Sequence, residues 1–272
     1  MKKINAIAIG GFDGMHIAHQ HLFSLLGDKG GIVAIETGYA NMTPGLHRQE
    51  HTTLPVFYYE LDAIKGLSGK EFIVKLKTDF PSLKKIVVGF DFHFGHKRSC
   101  TSQDLKKLFE GEVLIVDEVK LEDIPIHSHK IRLLLEEGKV KQANLFLGYN
   151  YTLKGQVIKG QGIGSAELVP TINLETSGYQ LPKDGVYASL TRLDDGTLYP
   201  SVSFIGQRHI TDKSFAIETH ILQDKVPSSL KAEISFLHFI RENKKFDSFS
   251  ELKQQIKDDI IKARKEINFL AL

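Results

Sequence analysis

Two histidines, His16 and His19, stand three residues apart just after the run Gly10-Gly-Phe-Asp-Gly14. An apolar stretch precedes that run and a helical pattern follows it, so it lies where a strand turns into a helix. Glycines at such a turn let the backbone approach a ligand, and the first turn of a helix presents unpaired N–H groups that favour anions. Residues three apart on a helix share a face. Gly11, Phe12, Asp13 and Gly14 beside two imidazoles can therefore hold a phosphate chain and steady charge on a leaving oxygen. A glycine turn followed by two surface histidines explains the same letters equally well. Zinc is a weaker reading, because no third ligand stands at a recognisable spacing. A second glycine-rich run, residues 155–164, contains Gly160 and Gly164; taken alone it reads more readily as flexible turns than as a phosphate loop.

The elements that must position these residues have two textures. Residues 4–9, 31–35, 86–88 and 113–116 read as short buried strands. Helical patterns separate them: 16–26 with Gly27 in the C-cap place, one opened by the capping box Ser68–Glu71 and burying Phe72, Ile73 and Leu76, and one opened by Thr101–Asp104. Strands alternating with helices imply a parallel sheet, which binds ligands beyond the carboxyl ends of its strands. The loops 10–14 and 89–95 lie there. Two short helices follow at 130–135 and 139–146. After Gly148 come strands at 152–158, 185–191, 197–204, 215–222 and 233–240, with a turn at Leu193-Asp-Asp-Gly196. Successive strands without helices predict a small antiparallel barrel. A final helix, capped at Ser248, would bury Leu252, Ile256, Ile260, Ala263 and Ile267. Two domains are expected, 1–149 and 150–272.

Composition fits this picture. The chain has 272 residues, 42% hydrophobic and 25% charged, with a formal net charge of +2. That balance gives no general pull towards nucleic acid or anionic lipid. The one cysteine, Cys100, allows no internal disulfide and suits a reducing compartment. The apolar stretch behind Lys2 and Lys3 is too short for a signal peptide, and no run approaches the ~20 residues of a membrane span. A cytoplasmic chain without membrane or nucleic-acid partners is expected; the sequence leaves its oligomeric state open.

The opening Gly10-Gly-Phe-Asp-Gly-Met-His-Ile-Ala-His-Gln20 resembles the H-x-G-H signature of nucleotidylyltransferases. In particular it resembles the G-x-F-D-G-V-H-x-G-H-Q of bacterial bifunctional riboflavin kinase/FMN adenylyltransferases, the FAD synthetases. Further stretches agree in the same order. Leu67-Ser-Gly-Lys-Glu-Phe-Ile73 is similar to the family's L-S-x-x-x-F-I, and residues 88–99 to its V-G-x-D-F-x-F-G-x-x-R-S. Pro170-Thr-Ile-Asn173 is similar to the flavokinase P-T-x-N, Gly185-Val-Tyr-Ala188 to G-V-Y-A, and residues 215–221 to a strand bearing E-x-H.

The resemblance implies an α/β nucleotidylyltransferase-like domain with a Rossmann-like parallel sheet, then a small antiparallel β-barrel riboflavin kinase domain with a C-terminal helix. It implies that the first transfers AMP from ATP to FMN. His16 and His19 would hold the ATP phosphates, with Gly11, Phe12, Asp13, Gly14, Asp91, Arg98, Ser128 and Arg132 around the nucleotide. In the second, riboflavin would be phosphorylated, with Gly160 and Gly164 near ATP and Glu218 taking the proton of the riboflavin 5′-hydroxyl. Thr171 and Asn173 offer hard oxygens, two apart on an extended segment, to the Mg²⁺ that accompanies ATP. Riboflavin, FMN and ATP are the implied partners, the flavin being substrate and product.

The chain departs from the family pattern at named places. Ala18 replaces the glycine of H-x-G-H, and His127 and His129 replace hydroxyl residues of S-S-T-x-I-R. Residues 164–169 replace G-R-x-L-G-F and bring in Ser165 and Glu167. Residues 40–55 match least. Three outcomes stay open: both activities, one activity (the kinase) beside a degenerate adenylyl site, or a flavin- and nucleotide-binding regulator without turnover.

Overall fold

The computed structural model describes residues 3–159, 169–208, 214–223 and 225–270. They divide into two compact units, Met1–Lys130 and Ile131–Leu272.

The first unit is built on strands β1 (Ala6–Gly10), β2 (Gly30–Glu36), β3 (Val56–Glu60) and β4 (Lys85–Gly89). Two two-residue strands, β5 (His93–Phe94) and β6 (Cys100–Thr101), then form a small hairpin, and β7 (Glu112–Val116) completes the sheet. The order is β3-β2-β1-β4-β7, with every neighbouring pair parallel. Its central strands are buried on both faces, which is why they read as continuous apolar runs. Ile7, Ile9, Val33, Ile86 and Val88 face Phe72, Ile73 and Leu76 of the helix Gly69–Asp79. On the other face the small Ala6, Ala8 and Ala34 meet Leu22, Phe23 and Leu26, at and just beyond the helix Ile17–Ser24. Capping boxes at Ser68/Glu71 and Thr101/Asp104 start two helices as the sequence predicts. From β1 the chain moves outward to β2 and β3, then crosses back to place β4 on β1's other side. The switch point of the sheet therefore lies between β1 and β4, where the loops 10–14 and 89–95 leave.

One strand of this five-stranded sheet escaped the sequence reading. β3, Val-Phe-Tyr-Tyr-Glu, is an edge strand and mostly half-buried, so it carries no uninterrupted apolar signal. The first helix is also shorter than its pattern suggests, 17–24 rather than 16–26, because His16 caps it and Leu25 ends it.

In the second unit the helix Ser128–Glu136, which begins in the first, is followed by the helix Val140–Leu147. Among the described residues, six strands close into a barrel in the order β10-β11-β14-β13-β12-β15. They are β10 (Thr152–Ile158), β11 (Ile172–Glu175), β12 (Gly185–Leu193), β13 (Leu198–Gln207), β14 (Phe215–Ile221) and β15 (Lys231–Glu242), numbered after a short pair β8 (Lys120–Leu121) and β9 (Ile124–Pro125). β11 begins at Ile172, directly after Thr171, and carries Asn173; the sequence reading left this segment as merely extended. The helix Phe249–Leu270 packs Ile260, Ala263 and Ile267 against Ala188, Leu222 and Leu237, and the Arg241 guanidinium holds the buried Asp259 of that helix at 2.7 Å.

Inside the barrel, Ser189, Thr191, Ser201, Ser203 and Thr219 are fully buried. Their hydroxyls form a closed ring: Ser203 to Thr219 (2.9 Å), Thr219 to Thr191 (3.1 Å), Thr191 to Ser201 (2.8 Å), Ser201 to Ser189 (2.8 Å) and Ser189 to Ser203 (2.7 Å). A hydroxyl donates once, so a ring in which each group donates to one neighbour and accepts from the other spends every donor. Thr219→Val keeps the shape but opens the ring at two links. It is expected to destabilise the second unit by about 1–3 kcal/mol, read as a lower urea midpoint at unchanged m-value. A midpoint unchanged from wild type would show that the ring contributes nothing.

Candidate active sites

The loop leaving β1 is held in a conformation that ordinary residues avoid. Phe12, Gly14 and Met15 all have positive φ, at 50°, 78° and 40°. Such geometry costs roughly 1–3 kcal/mol per strained residue and persists only where its surroundings enforce it. Here Phe12 and Met15 are sunk in the core, and the Phe12 ring packs edge-on against His19 (5.1 Å) and Phe23 (5.0 Å). The buried Asp13 carboxylate accepts the N–H groups of Met42 (2.9 Å) and Thr43 (3.1 Å), while Gly14 N–H donates to the Thr43 hydroxyl (2.9 Å). Ser128 donates to the Asp13 carbonyl at 2.8 Å. The charge of Asp13 is thus turned to the backbone of residues 42–43, a partnership across 29 residues that no local motif announces.

His16 is the N-cap of the helix, its Nδ1 accepting the His19 N–H at 3.4 Å. An accepting Nδ1 leaves the ring proton on Nε2. The two imidazoles stack with centroids 3.5 Å apart and planes 19° from parallel. Burial, with the nearby His127 adding to it, pushes the His16 imidazole down to about 3. Burial pushes His19 well below its ordinary value too, helped by His16, Arg48 and His127. Both rings are therefore neutral N–H donors at neutral pH. Arg48, on the 3-10 segment Gly45–His51, is fully buried and paired with Glu36 at the end of β2. The sequence reading missed it, because residues 40–55 match the family pattern least.

Around this pair, Gly11 is exposed and Ala18 is buried in the helix. Asp91 and Arg98 are exposed on the loop that leaves the adjacent β4; Lys97 and Arg98 also have positive φ (54° and 58°). His127 pairs with Glu118 at 3.1 Å, and His129 is exposed. Arg132 lies one helical turn beyond Ser128, in the second unit.

The second constellation is set by strand register. β11 and β14 run antiparallel with Asn173 opposite Glu218 and Ile172 opposite Thr219. His220 Nδ1 lies 2.8 Å from the Pro170 carbonyl and donates to it, fixing the chain just before the exposed Thr171. Arg208, just past β13, joins the two facing residues. Its Nε (3.0 Å) and Nη2 (2.7 Å) both donate to Glu218 Oε1, and the same Nη2 donates to Asn173 Oδ1 at 2.6 Å. Its Nη1 donates to the Ser214 hydroxyl at 2.8 Å. Arg208 was absent from the sequence reading; its only signal was a lone arginine two residues past Gly206 at a strand end. Gly160, Gly164, Ser165 and Glu167 lie outside the described residues.

No group of three or more His, Cys, Asp or Glu among the described residues could hold a metal by itself. Opposite Glu218 stands Asn173, whose Oδ1 already accepts from a guanidinium, and two residues before it comes the exposed Thr171. This set suits a cation that arrives with a substrate's phosphates better than one caged by protein.

A nucleotidyltransferase-like parallel sheet with its switch point between β1 and β4, followed by a closed antiparallel barrel in which Asn173 stands opposite Glu218, is a two-unit architecture. Comparison with known proteins agrees. Residues 147–267 match the riboflavin kinase family and residues 54–130 the FAD synthetase family. The bifunctional riboflavin kinase/FMN adenylyltransferase of Buchnera aphidicola is 30% identical, over 98% of this chain and 96% of its own. That of Listeria monocytogenes is 29% identical over 93% and 89%. The chain belongs to the bifunctional riboflavin kinase/FMN adenylyltransferase family. A crystal structure described as a macrolide-efflux protein from Streptococcus pneumoniae superposes with a TM-score of 0.84 at 27% identity, covering 97% of this chain and 95% of that one. Here no helix among the described residues is long and apolar enough to cross a membrane.

The neutral histidines have a consequence for stability. An unfolded imidazole titrates near 6.5 and folded His16 near 3, so the unfolded chain takes up the proton first as pH falls. The contribution is whole above pH 6.5 and drains away between 6.5 and about 3. Between pH 7 and 5 the first unit's urea midpoint should fall further in the wild type than in a His16→Asn/His19→Asn variant, in which asparagine keeps the cap. Equal slopes would contradict the assignment of neutral rings.

Proposed function

We propose that the chain carries out both reactions of its family: phosphorylation of riboflavin to FMN within residues 150–272, and adenylylation of FMN to FAD within residues 1–149, each with MgATP. The observation that carries the reading furthest is the register that sets Asn173 across from Glu218. It supports the reading by setting the proposed Mg²⁺ contact and the proposed proton acceptor side by side on neighbouring strands.

In the kinase step the riboflavin 5′-hydroxyl oxygen attacks the γ-phosphorus, the bond to the β,γ-bridging oxygen breaks, and ADP leaves. Glu218 receives the hydroxyl proton. Thr171 and Asn173 are the proposed contacts to the Mg²⁺ that comes in on ATP; for Asn173 this means sharing Oδ1 with Arg208. Gly160 and Gly164 are proposed beside the same nucleotide. In the adenylyl step a phosphate oxygen of FMN attacks the α-phosphorus and pyrophosphate leaves, without a covalent enzyme intermediate. The work is then positioning and charge stabilisation. His16 and His19 offer neutral N–H donors to the ATP phosphates, as the backbone of Gly11 and Phe12 also can, and Gly14, whose N–H is given to Thr43, shapes the turn beside the same nucleotide. Asp13 acts by tying residues 42–43 to the loop, and Asp91, Arg98, Ser128 and Arg132 complete the proposed nucleotide contacts.

A second reading, kinase activity alone, draws on Ala18: its methyl is buried where the family pattern has glycine. Chromatography of products from riboflavin, ATP and Mg²⁺ separates the two. FMN followed by FAD supports the bifunctional reading, and FMN alone supports the second. Glu218→Gln should lower FMN formation by roughly 10²–10⁴-fold and leave FAD formation from supplied FMN unchanged. His19→Ala should do the reverse, by roughly 10²–10³-fold. Equal damage to both reactions in a folded protein would overturn the assignment of two separate sites.

A further inference from the structure

Arg208 spans the two residues on which the kinase reading depends, and its geometry is asymmetric. Glu218 Oε1 accepts two N–H bonds from Arg208, at 3.0 and 2.7 Å, while Oε2 accepts none from any described residue. Nη2 is shared between Glu218 and Asn173, so one guanidinium edge fixes a carboxylate on β14 and an amide on β11 together. The fork is itself braced, because Nη1 reaches the Ser214 hydroxyl at 2.8 Å. Arg208 and Glu218 are both largely buried, their side chains 17% and 23% exposed, so solvent screens the pair only in part.

We propose that Arg208 is a positioning residue for phosphoryl transfer, anchoring Glu218 through Oε1 so that Oε2 is the oxygen that takes the substrate proton. The inference rests on the reading of Glu218 as general base. A carboxylate whose one oxygen takes both N–H bonds of a planar guanidinium edge is restrained at that oxygen, which narrows the directions open to the other. The fork also offsets negative charge that would otherwise oppose the approach of a polyphosphate. Its shared bond fixes the Asn173 amide with the oxygen towards the guanidinium, so the amide's orientation is set before substrate arrives. A lysine at this position supplies the charge but not the fork.

The test uses the full-length protein. In Arg208→Gln, kcat for FMN formation should fall roughly 10–100-fold, as expected from misplacing a reacting group, with KM for riboflavin and for MgATP changed less than about 3-fold. Arg208→Lys should recover little, and millimolar guanidinium should restore part of kcat to Arg208→Ala. FAD formation from supplied FMN and a calorimetric transition for the second unit report folding in each variant. In a Glu218→Gln background, Arg208→Gln should add less than 2-fold further loss, because the residue it orients is already gone. If MgATP KM rises instead while kcat holds, Arg208 binds nucleotide and the proposal is wrong; unchanged kcat also overturns it, as does full recovery by lysine. If Glu218→Gln leaves FMN formation intact, the base assignment itself has failed, an outcome distinct from failure of Arg208 alone.

Discussion

The barrel depends on five hydroxyls finding one another. Ser189 and Thr191 on β12, Ser201 and Ser203 on β13 and Thr219 on β14 satisfy each other only in one alignment of three strands. A slip of one residue would turn any buried face outward; here it would also leave hydroxyl donors without partners. The ring therefore sets the register of β13 and β14, and register sets the site. With Thr219 held inward, pleating turns Glu218 outward, and pairing with β11 brings it opposite Asn173. The carboxylate is placed by its neighbour in sequence as much as by its own contacts.

The first unit solves a different problem by a related route. Phe12 and Met15 in its first loop keep positive φ at a cost in strain, on either side of Gly14, which adopts it freely. The strain is carried by interactions that reach away from the loop: Phe12 and Met15 into the core, Asp13 to residues 42–43, Ser128 back to the Asp13 carbonyl. Charge is used sparingly. Asp13 spends its carboxylate on backbone donors, and the two histidines are held neutral by burial. The pair of the buried Arg48 with Glu36 is the exception, its guanidinium helping to keep His19 neutral.

Much of this was legible in the sequence because it is local. Strand periodicity, both capping boxes, the Leu193–Gly196 turn and the switch from alternating elements to successive strands all belong to short windows, and the fold follows them. β3 was not legible, since an edge strand rich in half-buried tyrosine has neither a full apolar run nor clean alternation. The hydroxyl ring was hidden for the opposite reason. Ser and Thr at every second position read as the wet face of a strand, yet they line the barrel's interior. Asp13 and His16 were singled out from spacing, but what each does depended on partners the spacing does not name. For Asp13 those partners are Met42 and Thr43. Arg208 carries no motif at all; its meaning arises only when β13 ends beside β11 and β14.

That last point bears on why a carboxylate can serve beside a triphosphate. A lone carboxylate at such a place repels the very group it must serve, and relief of that repulsion by protonation would destroy its use as a base. A guanidinium fork on one oxygen supplies an opposing charge beside the carboxylate while leaving the second oxygen open. The amide of Asn173 takes the remaining share of the fork, so charge compensation and orientation come from one side chain. In the barrel the carboxylate is oriented, and in the parallel sheet the histidines are kept neutral, by contacts and burial within the protein itself.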